Sequence, residues 1–219
     1  FGTQNRLGNL KAAVEAGFEW IEVDVSLTRD HQVVLLHDLR NKDANVEVRT
    51  VVDLTLEELR ADPGAAAVVT RGETLRQLPE GIGLAVELKP LGLWELNSIL
   101  TRQVALQLSK ETRPIIVDSF SLAASASVGN YCQNCVSAWD TPQFAPVTDE
   151  LMQTAVINGI DWLYVEQALY DDSLLDRAHR QGLRLMVYTV NDPAVIAGWK
   201  AAPDGIITDT AGLLAGVAK

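Results

Sequence analysis

Two short stretches of this chain place charge inside apolar runs. One is Glu22-Val23-Asp24, flanked by Trp20, Ile21 and Val25; the other is Glu87-Leu88-Lys89, preceded by Leu84-Ala85-Val86. An acid in a core strand costs several kcal/mol unless it is paired or holds a cation. Side chains two residues apart on a strand share a face, so Glu22 and Asp24 point the same way and repel each other. A divalent cation relieves that repulsion. Glu87 can add a third carboxylate, with Lys89 beside it aimed at an anion; a plain Glu87–Lys89 ion pair is the competing reading. Hard oxygen ligands favour Mg2+ or Ca2+ over zinc. His37-Asp38 closes another apolar run, and histidine is the side chain whose unperturbed pKa suits proton transfer near neutrality. Of the three histidines, His31 reads as a solvated turn residue and His179 as part of a charged helix face. His37 is therefore the acid/base candidate.

These residues need strands to position them. β-rich runs recur at Trp20–Val25, Val33–Leu36, Leu84–Leu88, Ile115–Ser119, Val136–Trp139, Trp162–Val165, Leu185–Thr189 and Gly205–Thr208. Helical patterns lie between most of them, at Leu10–Ala16, Leu54–Ala61, Leu93–Leu108, Asp149–Asn158, Ser173–Gln181 and Pro193–Ala201. Strand–helix alternation argues for a parallel sheet with helices outside it. Strands that are apolar throughout fit burial on both faces. A doubly wound sheet and a (β/α)8 barrel both satisfy this pattern. No Gly-x-Gly-x-x-Gly follows a strand, so a dinucleotide-binding sheet loses support. No repeat, low-complexity tract or linker interrupts the chain, so residues 1–219 read as one domain.

One connection breaks the alternation. Only seven residues separate Val25 from Val33, too few for a parallel crossover, so these runs form an antiparallel hairpin. A four-residue turn, Arg29–Gln32, pairs Thr28 with Val33, Ser26 with Leu35 and Asp24 with His37. The last pair would then stand about 4.5–5.5 Å apart at Cβ.

Glu-x-Asp, a hairpin, His-Asp and a later Glu-x-Lys together resemble the glycerophosphodiester phosphodiesterase family. The likeness runs along nearly the whole chain. Ile21–Asp38 carries most of it; Leu54–Arg60 is similar to the family's Thr-Leu-x-Glu-Leu helix, Val86–Lys89 to its Glu-x-Lys strand and Asp118-Ser119-Phe120 to its Ser-Phe strand end. Val187–Asn191 resembles its Trp-Thr-Val-Asn segment, with Tyr188 for Trp, and Pro203–Thr210 its closing Asp-Gly-Ile-Ile-Thr-Asp. The resemblance implies a (β/α)8 TIM barrel with its site at the C-terminal strand ends. It implies a divalent ion, Mg2+ or Ca2+, on Glu22, Asp24 and Glu87, with His37 as one of two catalytic histidines. It places Lys89 near the phosphate, and Phe120 and Tyr188 at the mouth of the pocket. Two features depart from the pattern. Gly2-Thr3-Gln4-Asn5 stands where the family has Pro-Glu-Asn-Thr, and the first strand with its His-Arg pair is absent. The expectation is seven barrel strands plus the hairpin return, with the first strand and the second histidine upstream of Phe1.

Bulk properties bound the partners. A net charge of −11 makes nucleic acid a poor partner, although a bound cation can reverse the sign of one site. No apolar run is long enough for a membrane span, so no stable membrane insertion is expected. The expected partner is a small-molecule glycerophosphodiester, the expected compartment the cytoplasm, and the oligomeric state stays open. Cys132 and Cys135 cannot form a zinc site unaided, and they lead into an apolar run rather than opening a helix after a strand. They read as a reduced pair or an incidental disulfide. Phosphatidylinositol-specific phospholipases C and sphingomyelinase D toxins share a similar set of acids and histidines. Such enzymes need a lipid-facing rim, and Leu39–Gly83 is polar and charged. A third possibility is a degenerate barrel that only binds, which intact Glu22, Asp24, His37, Glu87 and Lys89 argue against.

Overall fold

The computed structural model describes residues 5, 7–37, 50–61, 70–75, 77–210 and 213. Asp38 and Gly2, Thr3 and Gln4 of the expected N-terminal motif lie outside the described residues. The apolar runs form strands β1 (Trp20–Leu27), β2 (Val33–Leu35), β3 (Gly83–Leu88), β4 (Ile115–Asp118), β5 (Val136–Asp140), β6 (Trp162–Glu166), β7 (Arg184–Tyr188) and β8 (Gly205–Ile206). Helices α1 (Leu7–Glu15), α2 (Leu56–Ala61), α3 (Arg71–Leu75), α4 (Trp94–Leu108), α5 (Leu122–Ser127), α6 (Asp149–Ile157), α7 (Asp172–Arg180) and α8 (Pro193–Gly198) alternate with them. The sheet order is β2-β1-β3-β4-β5-β6-β7-β8. Every neighbouring pair is parallel except β1–β2. The fold is therefore of the (β/α)8 barrel type, with seven parallel strands and one antiparallel hairpin return among the described residues.

Period-2 alternation explains the layers. Ile21, Val23, Val25, Leu84, Val86, Leu88 and Val117 pack with Leu100, Val104 and Leu108 of α4 in one core between sheet and helices. Leu163, Val165, Leu185 and Val187 pack with Met152 of α6 and Leu174 and Leu175 of α7 in a second. The alternate residues face inward. Ile116, Ala138 and Tyr164 are buried there, against Trp162, Met186 and Tyr188. Gly83 and Gly205 leave room for the Trp20 ring and the Met186 thioether, which a Cβ would approach to 2.4 and 2.6 Å. Good caps close several helices: Thr148, Asp171 and Asp192 accept from the first-turn amides of α6, α7 and α8. Helices α3 and α5 add to the helical segments that the sequence pattern marks. α5 is a short Ala/Ser stretch without an apolar period; it is started by Ser121, whose side chain accepts from the Ala124 amide. Cys132 and Cys135 are joined as a disulfide. Among the described residues no helix is long and apolar enough to cross a membrane.

The hairpin forms, but its register differs from the expected one by a residue. Val25 pairs with Leu35, Ser26 with Val34 and Leu27 with Val33. The cause is a three-residue turn. His31 adopts the left-handed conformation at φ 57°, the Thr28 amide donates to the Gln32 carbonyl at 3.0 Å, and the His31 amide to the Thr28 carbonyl at 2.9 Å. This is the turn-plus-left-handed-residue loop that often closes hairpins. Asp24 consequently faces Leu36, whose amide donates to its carbonyl at 3.1 Å. His37 lies beyond the ladder rather than opposite Asp24. The turn is clamped from outside: Arg29 bonds both oxygens of Glu58 at 3.1 and 2.9 Å, and Asp30 accepts from the Leu56 amide at the start of α2.

A branched residue at 31 is strained at positive φ. His31→Val is expected to lower stability by about 1–2 kcal/mol, while His31→Gly costs nothing comparable. Urea unfolding of the two variants decides this, and equal midpoints would count against the assigned turn.

Candidate active site

Strand β1 carries Glu22 and Asp24 on its inner face, and β3 carries Glu87, with Lys89 just past its end. Asp24 and Glu87 are direct neighbours in the β1–β3 register. One carboxylate oxygen from each of Glu22, Asp24 and Glu87 lies within 4.8 Å of the others. The Lys89 ammonium sits between two of them, 2.5 Å from Asp24 Oδ1 and 2.6 Å from Glu87 Oε2. The ion-pair reading of Glu87–Lys89 is thus met, and the pair lies inside a carboxylate cluster. Asn5 holds Asp24 from the other side. Its Nδ2 donates to Asp24 Oδ2 at 2.7 Å and its Oδ1 accepts from the Asp24 amide at 2.9 Å. Asn5 also adopts positive φ, 61°, a conformation asparagine tolerates well.

Burial and crowding set the charges. Burial, then repulsion from Asp24 and Glu87, lifts the Glu22 carboxyl well above its ordinary range. Burial and the nearby Asp140 push Glu87 up to about 8, against the pull of Lys89. For Asp24 burial works upward too, but Lys89 and the hydrogen bonds around the carboxyl outweigh it and hold it low. Lys89 is kept firmly charged: burial opposes its charge, and Asp24 and Glu87 more than restore it. Glu22 Oε1 and Glu87 Oε1 are buried without a hydrogen-bond partner. Desolvated, repelling carboxylates with orphaned oxygens are the donor set a hard divalent cation fits.

Around this cluster lies a cavity of about 680 Å3 lined by Glu22, Asp24, Glu87 and Lys89 and also by His37, Phe120 and Tyr188. All seven residues singled out in the sequence therefore meet in one concavity. His37 is exposed on its wall. Phe120 and Tyr188 meet edge to face, with ring centroids 6.5 Å apart and planes at 88°. His31 lies in the hairpin turn, and His179 bonds Asp204 at 2.9 Å; neither lines the cavity. Among the wall residues to which sequence reasoning gave no role are Asn5, Asp118, Asp140 and Tyr164. Burial raises the Asp118 carboxyl well above normal, with Asp140 adding to it. Burial raises Asp140 to about 7, although Asp118 and Lys89 pull it down. The signal that singled out Glu22 and Glu87, an acid ending an apolar strand, was present at both aspartates.

Comparison with known proteins gives a consistent result. The model of the family described as glycerophosphoryl diester phosphodiesterases matches residues 3–213. A Bacillus subtilis protein named as a glycerophosphodiester phosphodiesterase is 26% identical over 224 residues, 95% of this chain and 90% of that one. A similarly named Mycobacterium tuberculosis protein is 28% identical over 96% of this chain and 83% of its own length. Among solved structures, an Oleispira antarctica phosphodiesterase in complex with the product sn-glycerol-3-phosphate superposes with a TM-score of 0.85 at 18% identity, covering 98% of this chain and 91% of that one. A Thermotoga maritima glycerophosphodiester phosphodiesterase gives 0.77 at 22% identity, over 96% and 90%.

The raised carboxyls make metal-free stability depend on pH. An unfolded chain releases these protons near pH 4. The folded chain keeps them until about 8 at Glu87 and about 7 at Asp140. The folded state therefore binds more protons across that window, and its stability falls as pH rises from about 4 to about 8. Each group contributes at most about 1.4 kcal/mol per pH unit. Unfolding of chelator-treated protein at a series of pH values should show this decline, and Glu87→Gln should flatten it. Stability that climbs through the window would refute the charge assignment.

Proposed function

This chain belongs to the glycerophosphoryl diester phosphodiesterase family, and on that premise we propose that it hydrolyses glycerophosphodiesters, in a metal-dependent reaction, to glycerol 3-phosphate and a free alcohol. The observation that carries the reading is the convergence of Glu22, Asp24 and Glu87 around Lys89 in the barrel cavity. The three carboxylates would hold the cation, Mg2+ or Ca2+ by their oxygen chemistry. Bound there, such an ion would offset charge on the non-bridging phosphate oxygens.

The chain's own residues have distinct roles in this proposal. Asn5 fixes the Asp24 carboxylate so that one oxygen is turned to the cluster. An ammonium has three N–H donors; two of those on Lys89 go to Asp24 and Glu87, and the third is assigned to a phosphate oxygen. His37, on the cavity wall, exchanges a proton with the attacking or leaving oxygen, at Nδ1 or Nε2 according to its tautomer. A second histidine would take the complementary proton. Phe120 and Tyr188 give the entrance an apolar wall against the substrate. The Cys132–Cys135 disulfide bears on location: a reducing cytoplasm keeps thiols free, so the bonded pair favours an oxidising compartment over the cytoplasmic expectation.

A second reading, a lipid phosphodiesterase, has one observation behind it. Leu93 and Trp94 follow β3 and Phe144 follows β5, and they are 58%, 73% and 80% exposed. Segments that follow parallel strands lie at the end of the barrel that bears the site, so these side chains could face a bilayer.

With Mg2+ or Ca2+ present, glycerophosphocholine should be cleaved, and His37→Ala should slow turnover about 10²–10⁴-fold while metal affinity, measured by titration, stays intact. Near-normal turnover in that variant would remove His37 from the chemistry. Vesicle flotation separates the lipid reading: the protein is expected to stay in solution with phosphatidylcholine vesicles, and co-flotation lost in Trp94→Ala with Phe144→Ala would favour the phospholipase instead.

A further inference from the structure

On β4, β5 and β6 the barrel interior carries a second polar group that the hydrolytic roles leave unused. Asp118, Asp140 and Tyr164 are 2%, 4% and 1% exposed. Asp118 is the register neighbour of Glu87, and Asp140 that of Tyr164. The two aspartates lie on adjacent strands, and the Asp140 amide donates to the Ser119 carbonyl at 3.0 Å. Asp118 Oδ1, Asp140 Oδ2 and the Tyr164 hydroxyl are buried with no partner, and all three residues line the same cavity as the carboxylate cluster. Buried polar atoms are normally paired, because an unpaired one forfeits its hydration. Three orphaned atoms on one cavity wall mark a place shaped for the polar atoms of a ligand.

The chemistry of the three groups selects the ligand. A second cation is a poor fit: among the described residues the ligand atoms that converge belong to Glu22, Asp24 and Glu87, without Asp118 or Asp140. Carboxylate oxygens accept hydrogen bonds, while a phenol both donates and accepts. Together they complement hydroxyl groups, each of which can donate to an aspartate and accept from the tyrosine. Ile116, Ala138, Trp162 and Met186 pack about Tyr164 and hold its ring in place on the wall. We propose that Asp118, Asp140 and Tyr164 form a specificity subsite for the hydroxyl groups of the substrate's glycerol half, next to the carboxylates and lysine that take the phosphate. This rests on the glycerophosphodiester reading. It leaves the variable alcohol at the open mouth, where size and charge are less constrained.

The test compares glycerol 3-phosphate with ethyl phosphate, which keeps the phosphate and lacks hydroxyls, by calorimetric titration of the Mg2+-loaded protein. The unaltered protein should prefer glycerol 3-phosphate by about tenfold or more, since a site built to bind hydroxyls discriminates against their loss. Tyr164→Phe should weaken glycerol 3-phosphate about threefold to tenfold and leave ethyl phosphate unchanged. It should not lower the melting temperature of the ligand-free protein, because it deletes an unpaired hydroxyl; a purely structural role predicts the opposite. Asp140→Asn should also shrink the preference while Mg2+ affinity holds. Equal binding of the two phosphates by the unaltered protein, parallel losses for both ligands, or weakened Mg2+ binding in Asp140→Asn would each overturn the subsite. So would an Asp140→Asn defect seen with glycerophosphocholine and not with glycerophosphoglycerol, which would assign the pair to a cationic headgroup. Turnover of glycerophosphocholine judges the hydrolytic reading separately: discrimination without turnover sinks that reading alone, and turnover without discrimination sinks the subsite alone.

Discussion

Crowding of like charge in a desolvated space is the constraint on which the rest of this structure depends. Glu22, Asp24, Glu87, Asp118 and Asp140 all line one cavity, and Lys89 is the lysine among them. Carboxylates that repel one another in low dielectric would separate or take up protons if the chain allowed it. They cannot separate, because each sits on a strand whose opposite face is locked into a core. Val23, Val25, Val86, Leu88 and Val117 are essentially inaccessible, and turning any acid outward would move those side chains out of their packing. A raised affinity for protons is the remaining response, and burial with mutual repulsion pushes the Glu22, Glu87, Asp118 and Asp140 carboxyls up. Strain of this kind concentrates at functional sites and is borne by the packing around them.

The same period-2 geometry divides the labour within each strand. Outward residues are almost uniformly aliphatic, which fixes strand position. Inward residues change character along the strand, from Ala85 to Glu87 on β3, with Lys89 just beyond, and from Ile116 to Asp118 on β4. The apolar part packs the interior; the polar part opens into the cavity. Chemistry is thereby confined to the C-terminal ends, where the loops are free to differ. Asn5 completes the arrangement from outside the sheet, gripping both the backbone and the carboxylate of Asp24.

Much of this is legible in the residues alone, because the strongest signals are local. Apolar runs place every strand to within two residues. Acids inside such runs identify Glu22, Asp24 and Glu87. What escapes is whatever depends on one backbone conformation or on tertiary contact. Hairpin register turns on His31 being left-handed, and an ordinary reading of Arg29–Gln32 as a four-residue turn shifts every pair by one. His37 enters the cavity all the same, because the chain departs from the ladder after Leu36. Asn5 has no local feature that ties it to Asp24. Asp118 and Asp140 were visible in principle, but each ends its run alone, without the i, i+2 partner that made Glu22 and Asp24 conspicuous. Short α3 and α5 have no amphipathic period to detect.

Lys89 shows why a single positive side chain does not make a cation superfluous here. Its ammonium satisfies one oxygen of Asp24 and one of Glu87, and it holds Asp24 ionised against burial. It leaves Glu22 Oε1 and Glu87 Oε1 without partners. A monovalent ammonium can bridge a pair of acids but offsets the charge of only one; it cannot also serve a third that repels both. The strands thus bring together more carboxyls than one ammonium can serve, and Glu22 is the one whose ionisation burial and its neighbours oppose. A divalent ion held by Glu22 with Asp24 and Glu87 would relieve that repulsion, and the third donor of the ammonium would serve an anionic substrate. The lysine and such a cation would be complementary: the lysine holds the Asp24 carboxyl low, and a cation would serve the acid that the lysine leaves unpartnered.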